Sequence, residues 1–362
     1  MRLLSLTLEQ FRSYSTLKLD FDEKNISVLL GENATGKTNV LEAISVLALL
    51  KSPRKVSEVD LITWEKAHYR VTGIVRGDRG EELKLEVVSQ LEPRKSRASF
   101  INDVRIPSKR YIGTLPLVVF SPDDLTLFNG SPGNRRRLID SLLSQVSETY
   151  LQAMSEYEKV IRQRNTLLKH IREGVEQPRS LDVWDEKLAT LGAVLTVDRL
   201  QLFETLQMTI LRELRSLGEK MKSAEFKFVR KTEGTEEAVI REELLQGLDH
   251  YRERDMQTLT TTIGPHRDDW TLNLDTRDIS TFASRGQQRA AILALLLLQA
   301  SFLELRKGEK PIMLLDDVFS EFDEKHREAV LKTLAEHQVI ITAVEMDEKL
   351  KEKAKLIVCP LS

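Results

Sequence analysis

GENATGKT, Gly31 to Thr38, is the stretch that decides the fold of this chain. It fits the pattern Gly-x-x-x-x-Gly-Lys-Thr. Glycines at 31 and 36 let the backbone turn so that amides point inward at phosphate oxygens. Lys37 is placed to reach β and γ oxygens, and the Thr38 hydroxyl to ligate Mg²⁺. With glycine near 7% of residues, chance produces the pattern in roughly one chain per hundred of this length. The flanks make chance less plausible still. Asn25 to Leu30 (NISVLL) reads as a short buried strand running into the loop, and Thr38 to Leu50 (TNVLEAISVLALL) carries apolar residues at helical spacing. Strand, loop and helix are the context a phosphate loop requires.

Two further stretches complete a nucleotide machine. Ile312 to Leu315 (IMLL) reads as a buried strand ending in Asp316-Asp317. An acid at such a strand end holds the magnesium of a P-loop, so Asp316 is expected at the metal with Thr38. Asp317, one residue on, suits polarisation of an attacking water and is the candidate catalytic acid beside Lys37. Ser284-Arg285-Gly286-Gln287 precedes an apolar helix. By itself this is a common helix cap that offers free amides to an anion. Placed just ahead of the Asp-Asp strand, it resembles the signature motif of ABC-type ATPases, in which the signature of one subunit closes on ATP held by the other.

Outward from these motifs, Leu4, Leu6 and Leu8, then Leu17, Leu19 and Phe21, alternate with polar residues and read as strands. Tyr69 to Ile106 alternates again, with a turn at Gly77 to Gly80, and is expected to form a small antiparallel sheet attached to the core. From Ser131-Pro132, a cap followed by proline at the first helical position, apolar residues recur at three- and four-residue steps from Leu138 to Leu168. They do so again from Trp184 to Leu217. The expectation is two long antiparallel helices, either a projecting arm or a subdomain packed on itself. The expected fold class is α/β: a P-loop head over residues 1–124 and 256–362, with a β subdomain at about 69–106, and an inserted helical arm over 125–255.

Composition bounds the function classes. At 362 residues, 41% hydrophobic and 30% charged, the chain is of the soluble globular type. The N-terminus lacks a secretory h-region, and the longest apolar run, Ala290 to Leu298, is short of the about 20 residues that span a bilayer. A cytoplasmic protein with no membrane partner is expected. One cysteine, Cys359, allows no internal disulfide or CxxC metal site. Lys+Arg is 54 and Asp+Glu 56, so nucleic-acid contact must come from local patches. Pro93 to Arg110 holds six basic residues against one acid, whereas Glu233 to Asp255 holds three against eight.

LEQFRSY (Leu8 to Tyr14) resembles the opening of SMC and Rad50 heads. With VVFSPDDLTLFNGSPGNRRRLID (Val118 to Asp140), YEKVIRQRNTLLK (Tyr157 to Lys169), GPHRDD (Gly264 to Asp269) and LLDDVFSEFD (Leu314 to Asp323), the chain resembles the RecF family of bacterial DNA replication, repair and recombination mediators over residues 1 to 345. The resemblance implies an SMC/Rad50-like ABC-type head that binds ATP and Mg²⁺ and forms a homodimer around two nucleotides. It implies DNA binding at duplexes and single/double-strand junctions, and recombinase loading at gaps with the partner mediators RecR and RecO. ATP hydrolysis, slow and DNA-stimulated, is implied as a switch in the SOS response. By position, the loop Gly31, Glu32, Asn33, Ala34, Thr35, Gly36, Lys37, Thr38 and then Asn39 would cradle ATP. Ser284, Gly286 and Gln287 would act in trans, Ser320 to Asp323 would form the D-loop, and Arg12 would touch the nucleotide outside the phosphates.

Several features depart from the wider ABC pattern. Asp317 stands where glutamate is usual, Arg285 where glycine is common, and Thr342-Ala343 where transporters place a γ-phosphate histidine. No Q-loop glutamine is evident. These gaps fit a switch better than a motor. Arg135, Arg136 and Arg137 begin the arm and are candidates for DNA phosphates, because three cations at a helix N-terminus oppose its dipole. A solvated first turn is the alternative. His266 and Arg267 of GPHRDD read either as a structural turn or as part of a site. A GTPase would bring Asn-Lys-x-Asp, a kinase would not need SRGQ, and a helicase would need a second motor domain. Another SMC/Rad50-like repair ATPase, or less readily a transporter ATPase, remains as the alternative.

Overall fold

The alternation of the opening residues builds β1 (Arg2–Phe11) and β2 (Tyr14–Asp20), which pair antiparallel and bury Leu6, Leu8, Leu17 and Leu19 on one face. The computed structural model describes residues 1–21, 24–54, 56–317, 327–328, 332, 336–345 and 354–359. The chain forms two compact units: Met1–Thr126 with Ser216–Glu219 and Arg289–Ser362, and Leu127–Arg215 with Lys220–Gln288.

In the first unit, β3 (Ile26–Leu30) leads through the glycine loop into α1 (Lys37–Leu49). Then come β4 (His68–Arg76), β5 (Glu82–Gln90), β6 (Ser96–Ile101), β7 (Val104–Ile106), the short α2 (Ser108–Tyr111) and β8 (Leu117–Phe120). The Tyr69 to Ile106 strands do not stand as a separate sheet. They continue the N-terminal hairpin in one six-stranded sheet, β2-β1-β4-β5-β6-β7, because β1 offers β4 its free edge over the run from Arg2 to Glu9.

The second unit begins with α3 (Pro132–Val146), α4 (Glu148–Arg172), α5 (Asp182–Gln207) and α6 (Ile210–Ser216, whose last residue falls in the first unit). Leu138 to Leu168 is therefore two helices. Ser147 ends the first in extended backbone and caps the second, its Oγ accepting from the Tyr150 amide at 3.0 Å. Next come β9 (Ala224–Val229), α7 (Glu237–His250), α8 (Arg252–Thr258), β10 (Asp269–Leu274), β11 (Arg277–Asp278) and α9 (Ile279–Phe282). The unit runs on to Gln288, beyond the expected return to the head at 256, because β10 pairs along its whole length with β9. Phe203, Phe226 and Phe128 close around the buried Trp270, and Phe228 packs on Phe203.

The chain then enters α10 (Arg285–Lys307), in which every residue of the apolar run Ala290 to Leu298 is buried. β12 (Ile312–Asp316), β13 (Val339–Ala343) and β14 (Ala354–Val358) complete a five-stranded parallel sheet, β14-β3-β13-β12-β8. α1 packs on strands of both sheets of the first unit, which is why it is apolar on nearly all sides. Parallel strands buried on both faces put their carboxyl ends, and any ligand site, at one edge.

Candidate functional site

The glycine loop leaves β3 at the carboxyl edge of the parallel sheet. Ala34 (φ 67°) and Gly36 (φ 94°) both take the left-handed conformation there, turning successive amides inward. A side chain at 36 would be strained on that account alone. It would also meet the Tyr14 hydroxyl, 2.3 Å from where its Cβ would stand. A Cβ at Gly31 would lie 2.8 Å from the Cys359 carbonyl oxygen. Both glycines are therefore required by close approach. The Lys37 ammonium donates to the Gly31 and Glu32 carbonyls, each at 2.6 Å, which leaves one of its three N–H donors to point elsewhere. Thr35 Oγ1 closes the turn onto the Glu32 carbonyl at 2.8 Å.

The Asp-Asp strand lies two strands away from the loop, with β13 between. Thr342 at the end of β13 bridges the gap: its hydroxyl donates to Asp316 Oδ1 at 2.7 Å and accepts the Asp317 amide at 2.8 Å. On the other side Thr38 Oγ1 donates to the same Asp316 oxygen at 3.0 Å. Hydroxyl and carboxylate, 278 positions apart in sequence, thus share one point at the mouth of the loop. Asp317 is left-handed (φ 48°), a strained backbone for a residue other than glycine.

A cavity of about 220 Å³ opens here, lined by Asn33, Ala34, Gly36, Lys37, Thr38, Asn39, Arg54, Asp316, Asp317 and Thr342. Its donor set suits a polyphosphate with a hard divalent cation: inward amides, an ammonium, and an oxygen pair from Thr38 and Asp316. The tyrosine beneath the loop adds a further feature. The Tyr14 hydroxyl is buried without a hydrogen-bond partner among the described residues, and its burial, with the neighbouring Cys359, pushes its pKa up to about 12.

The other expected site residues fall elsewhere. Arg12 does not line the cavity. Its Nε and Nη2 hold the buried Glu42 at 2.6 and 2.8 Å and its Nη1 holds the Asp60 carbonyl at 2.7 Å, so it staples α1 to the β1–β2 turn. Ser284, Gly286 and Gln287 are also absent from the lining. Ser284 and Gln287 form a reciprocal cap, amide to Oε1 at 2.9 Å and amide to Oγ at 3.2 Å, at the start of α10. Ser320 to Asp323 lies outside the described residues. Arg54 is a cavity residue that the sequence reading missed: it follows α1 in a segment with no periodicity to mark it.

The expectation for Arg135 must be corrected. Its guanidinium is buried, holds both Asp269 oxygens at 2.7 Å, and donates to the carbonyls of Leu127, Phe128 and Gly130 at 2.9, 3.3 and 3.0 Å. All three of its nitrogens are engaged inside the protein, and its burial keeps it from a DNA phosphate. Arg136 is half-buried and donates to the Asp268 carbonyl at 2.6 Å; of the three, only Arg137 is exposed.

GPHRDD is the knot of the second unit. Pro265 accepts from Arg199 at 2.7 Å, His266 bridges the Tyr157 hydroxyl and the Thr261 carbonyl, and Arg267 donates to Thr261 and Thr260. Burial lowers the His266 pKa to about 4, with Arg267, Arg136 and Arg199 adding to the effect, so the ring is neutral at physiological pH. Burial raises the Asp268 pKa to about 6 against the pull of Arg199, Arg230 and Arg136.

Exposed cations gather instead at the far edge of the six-stranded sheet. Arg94, Lys95, Arg105, Lys109 and Arg110 are exposed and have no acidic partner among the described residues, whereas Arg97 is held by Glu58 and the Leu50 carbonyl.

A phosphate loop, an acid at a parallel-strand end and a capped helix with the signature sequence define an ABC-type ATPase head. The family model RecF/RecN/SMC N terminal domain matches residues 2–358. The DNA replication and repair protein RecF of Enterococcus faecalis is 35% identical over 359 residues, 98% of this chain and 94% of that protein. RecF of Geobacillus thermodenitrificans is 36% identical over 96% of this chain and 94% of its own length. A solved structure of the recombination mediator RecF with ATP in the RecFOR pathway superposes with TM-score 0.87 at 31% identity, covering 96% of this chain and 92% of that one. An SMC head bound to the C-terminal winged-helix domain of ScpA shares the fold (TM-score 0.53, 14% identity, 99% and 94% covered). The chain belongs to the RecF family.

Proposed function

We propose that the chain is an ATP-gated DNA-binding recombination mediator. The observation that carries the reading is the 3.0 Å bond from Thr38 to Asp316 at the mouth of the glycine loop. On this reading the amides of Asn33 to Asn39 and the free N–H of Lys37 hold the phosphates of ATP. Thr38 and Asp316 would hold Mg²⁺, whose positive charge would offset that of the phosphates. Asp317 orients and deprotonates the attacking water, and Thr342 fixes the Asp316 carboxylate and the Asp317 backbone. Ser284, Gly286 and Gln287 act on the nucleotide of a second copy, so ATP binding makes the homodimer and slow hydrolysis releases it.

DNA, as duplex or single/double-strand junction, lies on the exposed cations from Arg94 to Arg110, each phosphate contact releasing counterions. RecR- and RecO-type mediators are the protein partners in recombinase loading, and the first unit is the ATPase head. The test is duplex binding against protein concentration, with and without Mg·ATP, at fixed salt. Tight binding only with ATP, rising steeply with protein concentration, is expected. Equal binding without nucleotide would overturn the gating.

A further inference from the structure

Between α1 and β4 the chain displays Trp64, 86% exposed, the most exposed large apolar side chain among the described residues. Its neighbours Leu61 and Ile62 are buried. The display is fixed by the backbone. Ile62 forms an antiparallel bridge with Phe11, and the Arg12 amide donates to Leu61 at 2.8 Å. The Thr63 amide donates to Gln10 at 2.9 Å, and the Thr63 hydroxyl to the Tyr14 carbonyl at 3.2 Å. Glu65, directly after, is left-handed at φ 63°. A large aromatic held out in water on a pinned loop is apolar area without a partner.

The turn that pins Trp64 is also the turn that borders the glycine loop. Asn39 Nδ2 donates to Ser13 Oγ at 3.0 Å, and Tyr14 lies under Gly36. Lys37 and the Thr38–Asp316 pair mark the end of the cavity that takes the terminal phosphates. The nucleoside must lie away from that end, and Asn39, the residue after Thr38, is the one whose side chain reaches the β1–β2 turn to which the Trp64 loop is fastened.

We propose that Trp64 is the stacking surface for the purine base of the nucleotide. The inference rests on the reading of Gly31 to Thr38 as a nucleotide loop and adds a contact to it. Stacking uses the face of the base, which adenine and guanine share, so Trp64 supplies affinity for a nucleoside and not the choice of purine.

Calorimetric titration of the full chain with Mg·ATP and with Mg·tripolyphosphate tests this. In Trp64→Ala the Kd for ATP rises about tenfold, the scale of one lost base–aromatic stack. The Kd for tripolyphosphate stays as in wild type, and Trp64→Phe recovers most of the ATP affinity. ATP, but not tripolyphosphate, quenches an indole emission that Trp64→Phe lacks. An unchanged ATP Kd in Trp64→Ala overturns the proposal, and if that variant also fails to dimerise on ATP, Trp64 is a protein-contact residue. Lys37→Met loses both ligands. Wild-type protein that binds neither ligand would overturn the nucleotide-loop reading and this one together.

Discussion

Replacing Arg135 by alanine separates a structural arginine from a DNA-binding one. In the structure the guanidinium makes a bidentate pair with Asp269 and satisfies three carbonyls, and its own side chain is only 9% exposed. Truncating it leaves those carbonyls without their donor and the Asp269 carboxylate without its guanidinium, although the Trp270 amide still donates to Oδ1 at 2.8 Å. Breaking a buried pair on one side costs about 3–5 kcal/mol. Asp269 keeps 22% of its side chain in solvent, so water recovers part of that loss and the lower end, about 3 kcal/mol, is expected. Urea unfolding followed by far-UV circular dichroism reads this as a fall in the transition midpoint at constant slope. Arg135→Lys should regain only part of the loss, because an ammonium cannot reproduce the two-pronged contact. Arg94→Glu with Lys109→Glu, on exposed cations, should leave the unfolding free energy within about 0.5 kcal/mol of wild type while weakening duplex binding and flattening its salt dependence. A folded, undiminished Arg135→Ala protein with weak DNA binding would refute the structural assignment.

Ser284→Arg should bind ATP normally yet fail to form ATP-dependent dimers in sedimentation velocity; wild-type dimers would show that the signature residues do not act across copies. Asp317→Asn should bind ATP and persist as a dimer, with hydrolysis down by at least about 100-fold, the lower range for a lost general base. Rapid return to monomer would count against Asp317 as the catalytic acid. Asp268→Asn addresses pH. The folded carboxyl titrates near 6 and the unfolded one near 3.8, so Asp268 favours the fold below pH 3.8 and loses that advantage as pH rises through 6. The Asp268→Asn protein should therefore match wild type near pH 4 and be more stable by about 2–3 kcal/mol at pH 7. A difference independent of pH would remove burial as the cause.

Local spacing settled a good deal in advance. Gly36, Lys37 and Thr38 could be read from one octapeptide because a phosphate loop is made of consecutive backbone amides. Asp316 was legible because four apolar residues announce a buried strand. Ser284 and Gln287 were legible because a cap spans three positions. The arm helices were visible as periodicity, but the break at Ser147 was not, since a capping serine inside an apolar repeat looks like any other polar position. β9 was missed because the pairing that stabilises it comes from β10, 40 residues later.

Sequence by itself determined the kind of machine, since the groups that hold phosphates are contiguous or stand at the ends of elements whose period can be counted. The tertiary structure alone decided what each arginine does. Arg12 answers to Glu42, Arg135 to Asp269 and Arg199 to Asp140 and Pro265, while Arg54 reaches the cavity and the Arg94 to Arg110 cations stay in water. A guanidinium carries the same charge wherever it stands. Whether that charge is spent inside the protein or offered to a ligand depends on which distant carboxylate the fold brings within about 3 Å, and no local pattern encodes that distance.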